Sequence, residues 1–179
     1  MKITIAGIGY VGLSNAILLS YSNHVTAFDI DEKKINQINN NISPLADKDI
    51  ENALNENKLS IHATSLYKEA FKDPDYVVIA TPTDYDPEND MFNTSSIENV
   101  IEEALNINEN QCFIIRSTVP IGFTKKMIKK FNHQKIYFCP EFLREGQSLA
   151  DSLSPSRIIL GDDHSDTRKF ASLLKENTS

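Results

Sequence analysis

The sequence predicts a doubly wound α/β fold, a mostly parallel Rossmann-type sheet with helices on both faces. Three observations point there. Short apolar runs bounded by turn residues alternate with helix-period segments along nearly all of the 179 residues. The runs are continuous rather than alternating, as in Tyr76-Val-Val-Ile-Ala80 and Cys112-Phe-Ile-Ile115, which suits parallel strands buried on both faces. The first run, Ile3 to Ala6, leads straight into Gly7-Ile-Gly9-Tyr10-Val11-Gly12 and then into helix-like sequence.

In chain order, strands are expected at 2–6, 24–29, 59–63, 75–80, 111–116, 135–139 and 156–160. Helices are expected at 11–22, 31–41, 47–57, 65–72, 95–108, 121–131 and 165–176. Asp31 and either Thr94 or Ser95 are candidate N-caps, because their side-chain oxygens can accept from unpaired first-turn amides. Right-handed crossovers between successive parallel strands give the doubly wound sheet, whose ligands bind beyond the carboxyl ends of the strands. The chain is long enough for one domain with a real core, and residues 1–179 are taken as one.

The glycine loop predicts a dinucleotide site. Gly7 would allow the tight turn, Gly9 would let a pyrophosphate approach the backbone at a helix N-terminus, and Gly12 would let helix and strand pack closely. The second apolar run ends in Asp29, twenty residues after Gly9. A carboxylate there accepts from ribose hydroxyls and repels a 2′-phosphate, which favours NAD over NADP.

Three later loops follow strands. Thr81-Pro82-Thr83 reads either as a proline-stiffened turn or as a contact to the cofactor through Thr83. Ser117-Thr118-Val-Pro-Ile-Gly122 opens a helix, a position suited to anion binding or polar orientation. In Pro140-Glu141-Phe142-Leu143-Arg144-Glu145-Gly146 the two glutamates bracket an arginine. They read either as partners in a simple ion pair or as carboxylates for general-base work or for holding a water.

Composition narrows the function classes. With 18 basic and 25 acidic residues the net charge is −7, so a nucleic-acid backbone is not an expected partner. Lys125, Lys126, Lys129 and Lys130 are expected on a solvated helix face. No apolar run reaches the roughly 18 residues of a membrane span, and the N-terminus lacks the basic and apolar regions of a signal peptide. A cytoplasmic location is expected. Cys112 and Cys139 have no metal-ligand spacing and read as buried thiols. His24, His62, His133 and His164 are scattered singly and read as structural or surface residues. The polar stretch Asp84 to Asp90 is expected to be an exposed loop near the site. Its acidic residues lack regular ligand spacing, and no metal is expected.

Taken together, Gly7-Ile-Gly-Tyr-Val-Gly-Leu13, Asp29 with Lys34, Ala80-Thr-Pro-Thr83, Ser117 to Gly122, Pro140 to Gly146 and Pro155-Ser-Arg157 resemble the UDP-glucose/GDP-mannose dehydrogenase family, in family order across nearly the whole chain. The resemblance implies NAD⁺-dependent oxidation of a nucleotide-sugar C6 alcohol, as in UDP-glucose, to the carboxylate in two hydride transfers. It places NAD against the glycine loop (Gly7, Gly9, Tyr10, Val11, Gly12), Asp29, Lys34, Thr83, Thr118 and Glu145. It places the sugar nucleotide against Glu141, Phe142, Leu143, Arg144 and Glu145. Thr118, Glu141 and Glu145 would orient a water, and Glu145 would activate it.

The family's second half-reaction uses a cysteine in a Gly-rich segment further downstream, and neither Cys112 nor Cys139 has such surroundings. The chain is therefore expected to be the cofactor-binding N-terminal domain, binding NAD without completing the reaction. The family's long central helix and nucleotide-sugar domain would follow it. The complete protein is expected to be a homodimer, and this chain a monomer or a weak non-native dimer. Substrates left open are GDP-mannose and N-acetylhexosamine nucleotides, although the Phe-Leu-Arg segment favours UDP-glucose or GDP-mannose by resemblance. A non-catalytic dinucleotide sensor would need only the glycine loop and Asp29, and would leave 117–122 and 140–146 without a task.

Overall fold

In the computed structural model, which describes residues 1–56, 58–88 and 91–178, the six strands expected up to residue 139 form one parallel sheet. They are β1 (Lys2–Ala6), β2 (His24–Phe28), β3 (Ile61–Thr64), β4 (Tyr76–Ile79), β7 (Phe113–Ile115) and β8 (Ile136–Phe138), in the order β3-β2-β1-β4-β7-β8. Two short strands, β5 (Tyr85–Asp86) and β6 (Met91–Phe92), pair antiparallel outside it. The order reverses between β1 and β4, where such sheets open a crevice for ligands.

Alternate strand residues feed two cores, as the two-residue period of a strand requires. Ile3, Ile5, Val25, Ala27, Val78 and Ile114 face α1 (Tyr10–Ser20), α2 (Glu32–Asn39), α3 (Lys48–Asn55), α7 (Ser148–Leu153) and α8 (Ser165–Glu176). Val77, Ile79, Phe113 and Ile115 face α4 (Tyr67–Ala70), α5 (Ser95–Ile107) and α6 (Phe123–Phe131). Every residue of α1 from Gly12 to Ser20 is buried, because the helix lies between the sheet and the other helices of its face.

Strand and helix limits fall within two residues of expectation, except where Asn57, the expected end of the third helix, lies outside the described residues. Asp31 caps α2 by accepting from the Lys33 amide at 2.9 Å. Thr94 occupies the cap position of α5, but its hydroxyl donates to Glu98; Asn93 Oδ1 accepts from the Ser95 amide instead, at 3.1 Å.

Three expectations are corrected. Residues 156–160 form no strand: the segment gives the sheet edge one backbone bond at its end, Gly161 N to Phe138 O at 2.8 Å, and no ladder. The stretch at Asp84 is partly the β5–β6 hairpin, with the Tyr85 and Phe92 rings 5.3 Å apart; Asn89 and Asp90 lie outside the described residues. Helix α7 was not expected, since six residues are too few to show a helical apolar period.

The four histidines serve structural contacts: His164 caps α8 by accepting from the Asp166 amide, and His133 Nε2 donates to the Gln111 carbonyl. Of the four lysines on α6, Lys130 pairs with Glu98 at 2.7 Å, and all four are exposed. Among the described residues no helix is long and apolar enough to cross a membrane.

Candidate functional site

The loops that follow β1, β2, β4, β7 and β8 surround one cleft of about 920 Å³ at the carboxyl edge of the sheet. Of the expected site residues, Gly7, Gly9, Tyr10, Val11, Asp29, Lys34, Thr83, Thr118, Glu141, Phe142, Leu143, Arg144 and Glu145 all line it. Gly12 does not; it lies beneath the floor. A Cβ built on Gly12 would stand 1.8 Å from the Gly7 carbonyl oxygen, so only glycine lets α1 start this close to the turn. At Gly7 the backbone has φ +99°, and a Cβ would meet Ala80 O at 2.6 Å.

This floor suits a dinucleotide. A Cβ on Gly9 would meet nothing within 4 Å, so the backbone is open to the cleft where a pyrophosphate would approach. No side chain caps the amides at the start of α1, and no acidic residue sits in its first turn. Asp29 lies at the end of β2 with its side chain 11% exposed; Oδ2 accepts from the Ile8 amide at 2.7 Å and from Lys34 at 3.4 Å. Its carboxylate thus stands at the lip of the cleft where ribose hydroxyls would meet it. Among the described residues no group of three or more His, Cys, Asp and Glu could hold a metal ion.

The turn after β4 is braced from two sides. Ser96 Oγ donates to the Pro82 carbonyl at 2.7 Å, and Ser117 Oγ donates to the Thr81 carbonyl at 2.7 Å. Thr83 and Thr118 lie beyond those braces, with Thr118 exposed to the cleft.

Of the two readings of the last loop, the simple ion pair is not what forms. Arg144 pairs with neither glutamate. Its guanidinium and its backbone amide both bind Asp151 of α7, the closest contact being 2.7 Å from Nη2. Glu141 instead pairs with Arg116, just past β7, through contacts of 3.2 and 3.1 Å to Oε2. Both side chains are under a tenth exposed. Burial pushes the Glu141 carboxyl above its usual range, against the pull of Arg116 and of Asn15. Glu145 is exposed and faces the cleft, with no hydrogen bond to another of the described residues.

Arg116 and Asn15 are the residues that sequence reasoning missed. A signal existed for Arg116: a charge that ends the apolar run Cys112 to Ile115 is buried by position and must find a partner. Asn15 is the largest polar residue in the buried stretch of α1 and needs partners in the same way. Both cysteines are buried as expected. Burial pushes the Cys112 thiol up to about 12, and it also raises Cys139, whose sulfur accepts from Arg116 Nη1 at 3.3 Å.

A family model described as the UDP-glucose/GDP-mannose dehydrogenase family, NAD binding domain, matches residues 1–177. A UDP-glucose 6-dehydrogenase of Campylobacter jejuni is 57% identical over 90% of this chain and 42% of its own length. One from Streptococcus pneumoniae is 44% identical over 98% of this chain and 46% of its own length. The crystal structure of a ternary complex of GDP-mannose dehydrogenase from Pseudomonas aeruginosa aligns with a TM-score of 0.87 at 26% identity, covering 100% of this chain and 45% of that one. The chain thus spans less than half the length of these relatives.

Proposed function

The chain belongs to the UDP-glucose/GDP-mannose dehydrogenase family as its NAD-binding domain, and from that premise we propose that it serves a nucleotide-sugar 6-dehydrogenase, with UDP-glucose as the substrate of the complete protein. The observation that supports this is convergence: five strand-end loops bring the glycine loop, Asp29, Thr83, Thr118 and the 141–145 segment into one cleft. The substrate reading leans on the two UDP-glucose 6-dehydrogenases, at 57% and 44% identity.

In this reading the amides at the start of α1 hold the pyrophosphate, and Asp29 accepts from the adenosine ribose. Lys34, Thr83, Thr118 and Glu145 complete the cofactor wall. Bound NAD⁺ supplies the hydride acceptor for oxidation at C6. Glu141 to Glu145 meet the sugar nucleotide, where Glu141 offers a buried acceptor and exposed Glu145 a base for water. The covalent half-reaction needs a thiolate. Neither Cys112 nor Cys139 suits that task, because burial holds both as thiols. The chain by itself therefore binds NAD⁺ without turning over.

Calorimetric titration tests the cofactor reading. NAD⁺ is expected to bind at least about tenfold tighter than NADP⁺, a gap that Asp29→Ala narrows. Equal affinity for the two would remove the role given to Asp29. Sustained NADH production from UDP-glucose by the purified chain would remove the claim that its own residues do not suffice.

A further inference from the structure

Three donors converge on one oxygen of Glu141. Arg116 donates from Nε at 3.2 Å and from Nη2 at 3.1 Å, and Asn15 donates from Nδ2 at 3.3 Å, all to Oε2. Among the described residues every side-chain hydrogen bond of Glu141 goes to that atom, and Oε1 accepts none. Oε1 is not sealed in either. The fully buried side-chain atoms without partners among the described residues are Asn15 Oδ1, Gln111 Oε1 and Ser152 Oγ.

The clamp is itself held. Asn15 is 1% exposed and its Nδ2 also donates to the Val11 carbonyl at 2.8 Å, which fixes the amide on α1. Arg116 Nη1 rests on Cys139 Sγ, so the guanidinium is gripped between the ends of β7 and β8. Arg116 and Glu141 line both the large cleft and a second cavity of about 160 Å³ between α1, α7 and the 154–158 segment.

An ion pair that only tied two strand ends together would be expected to share both carboxylate oxygens with the two arms of the guanidinium. Here the fork closes on one oxygen and a third donor joins it. Oε1 is left without a protein donor among the described residues but stays accessible, so a hydroxyl or a water can supply the missing hydrogen bond.

We propose that Arg116 and Asn15 are positioning residues. They hold the Glu141 carboxylate turned so that Oε1 is the single acceptor it offers to a hydroxyl or a water in the site. This rests on the reading that Glu141 belongs to the working part of the cleft. Among the other charged groups nearby, Arg144 and Asp151 satisfy each other at 2.7 Å, Arg157 lies over the Phe142 ring, and Glu145 is exposed. Arg116 is therefore the cation that governs Glu141.

The experiment follows the Glu141 carboxyl by NMR in the whole chain labelled with ¹³C at the glutamate carboxyl, its signal assigned by loss in Glu141→Gln. Arg116→Met is expected to raise the midpoint by about one to three pH units, Asn15→Leu to raise it less, and Arg116→Lys to recover much of the shift by keeping the charge. Isotope-edited infrared spectra read the one-sided bonding: the gap between the two carboxylate stretches should narrow in Arg116→Met. A midpoint and a gap that both stay unchanged while stability falls would mean that Arg116 only braces the strands, and would overturn the proposal. Should Arg116→Met not fold, Arg116→Lys decides, through the smaller rise expected from losing the fork. Titration of the unsubstituted chain with NAD⁺ separates the two failures. Absent NAD⁺ binding removes the reading of the cleft and leaves the clamp; bound NAD⁺ with no shift removes the clamp alone.

Discussion

Asp47 and Ser148, 101 residues apart in sequence, meet through two hydrogen bonds to Asp47 Oδ2, 2.8 Å from the Ser148 amide and 2.9 Å from its hydroxyl. The other carboxylate oxygen caps α3 by accepting from the Asp49 and Ile50 amides at 3.1 and 3.3 Å. Ser148 Oγ also accepts from Ser14 of α1 at 2.8 Å. One buried carboxylate thus anchors the start of α7, two residues after Gly146, and with it the loop that presents Glu141 and Glu145.

Removing that anchor should be costly. Asp47→Ala loses a cap and leaves buried donors unpaired, so a loss of about 2–4 kcal/mol is expected in urea denaturation, with Asp47→Asn losing less. A loss under about 0.5 kcal/mol would contradict the anchoring role. The pH dependence follows from the sign of the shift. Burial pushes the Asp47 carboxyl up, but the hydrogen bonds from Ser148, Ile50 and Asp49 outweigh it and hold the group below its ordinary value. A carboxyl held lower in the folded state stabilises above its unfolded value and loses that contribution as pH falls through the folded one. The advantage over Asp47→Asn should therefore shrink below about pH 4.

The glycine loop separates folding from binding. A Cβ at Gly12 would collide with the Gly7 carbonyl at 1.8 Å, so Gly12→Ala must displace the backbone and should cost about 3 kcal/mol or more. Gly9→Ala meets nothing within 4 Å, and its extended backbone (φ −99°) accepts a side chain. Its stability should fall by only about 1 kcal/mol, while NAD⁺ affinity drops at least about tenfold because the methyl stands where the pyrophosphate belongs. Thermal denaturation and calorimetry read the two variants. Unchanged NAD⁺ affinity in Gly9→Ala would show that the cofactor does not cross this floor.

What the sequence revealed, and what it hid, follows from how local each cause is. The central strands were legible because burial on both faces leaves an unbroken apolar run, as in Tyr76 to Ala80. The glycine loop and the Asp31 cap were legible because their chemistry lies within a few residues. Helix α7 was not, since its six residues show no apolar period and its start is held by a distant partner, Asp47. Residues 156–160 mislead in the opposite direction. Ile158, Ile159 and Leu160 suit a strand locally, but sheet membership is decided by the neighbour, and β8 accepts only one backbone bond there. Pairing was the least legible property. Glu141 and Glu145 bracket Arg144 in sequence, yet the sheet carries Arg116 to Glu141 from 25 residues away.

The two cysteines give a clear chemical test. Cys112 and Cys139 are 6% and 1% exposed, and burial raises both thiols, Cys112 to about 12. The thiolate is the reacting species, so in the folded chain at pH 8 both should resist a disulfide reagent such as dithionitrobenzoate. For Cys139 the Arg116 guanidinium favours the thiolate, but desolvation is the larger effect and leaves the thiol protonated. Both sulfurs should react within minutes once guanidinium chloride unfolds the chain, so titration before and after unfolding should count none and then two. Arg116→Met should leave Cys139 still slower, because the one nearby positive charge is gone. Rapid labelling of Cys139 in the native chain would show a reactive thiol beside Glu141, and with it the prospect of covalent chemistry that burial here argues against.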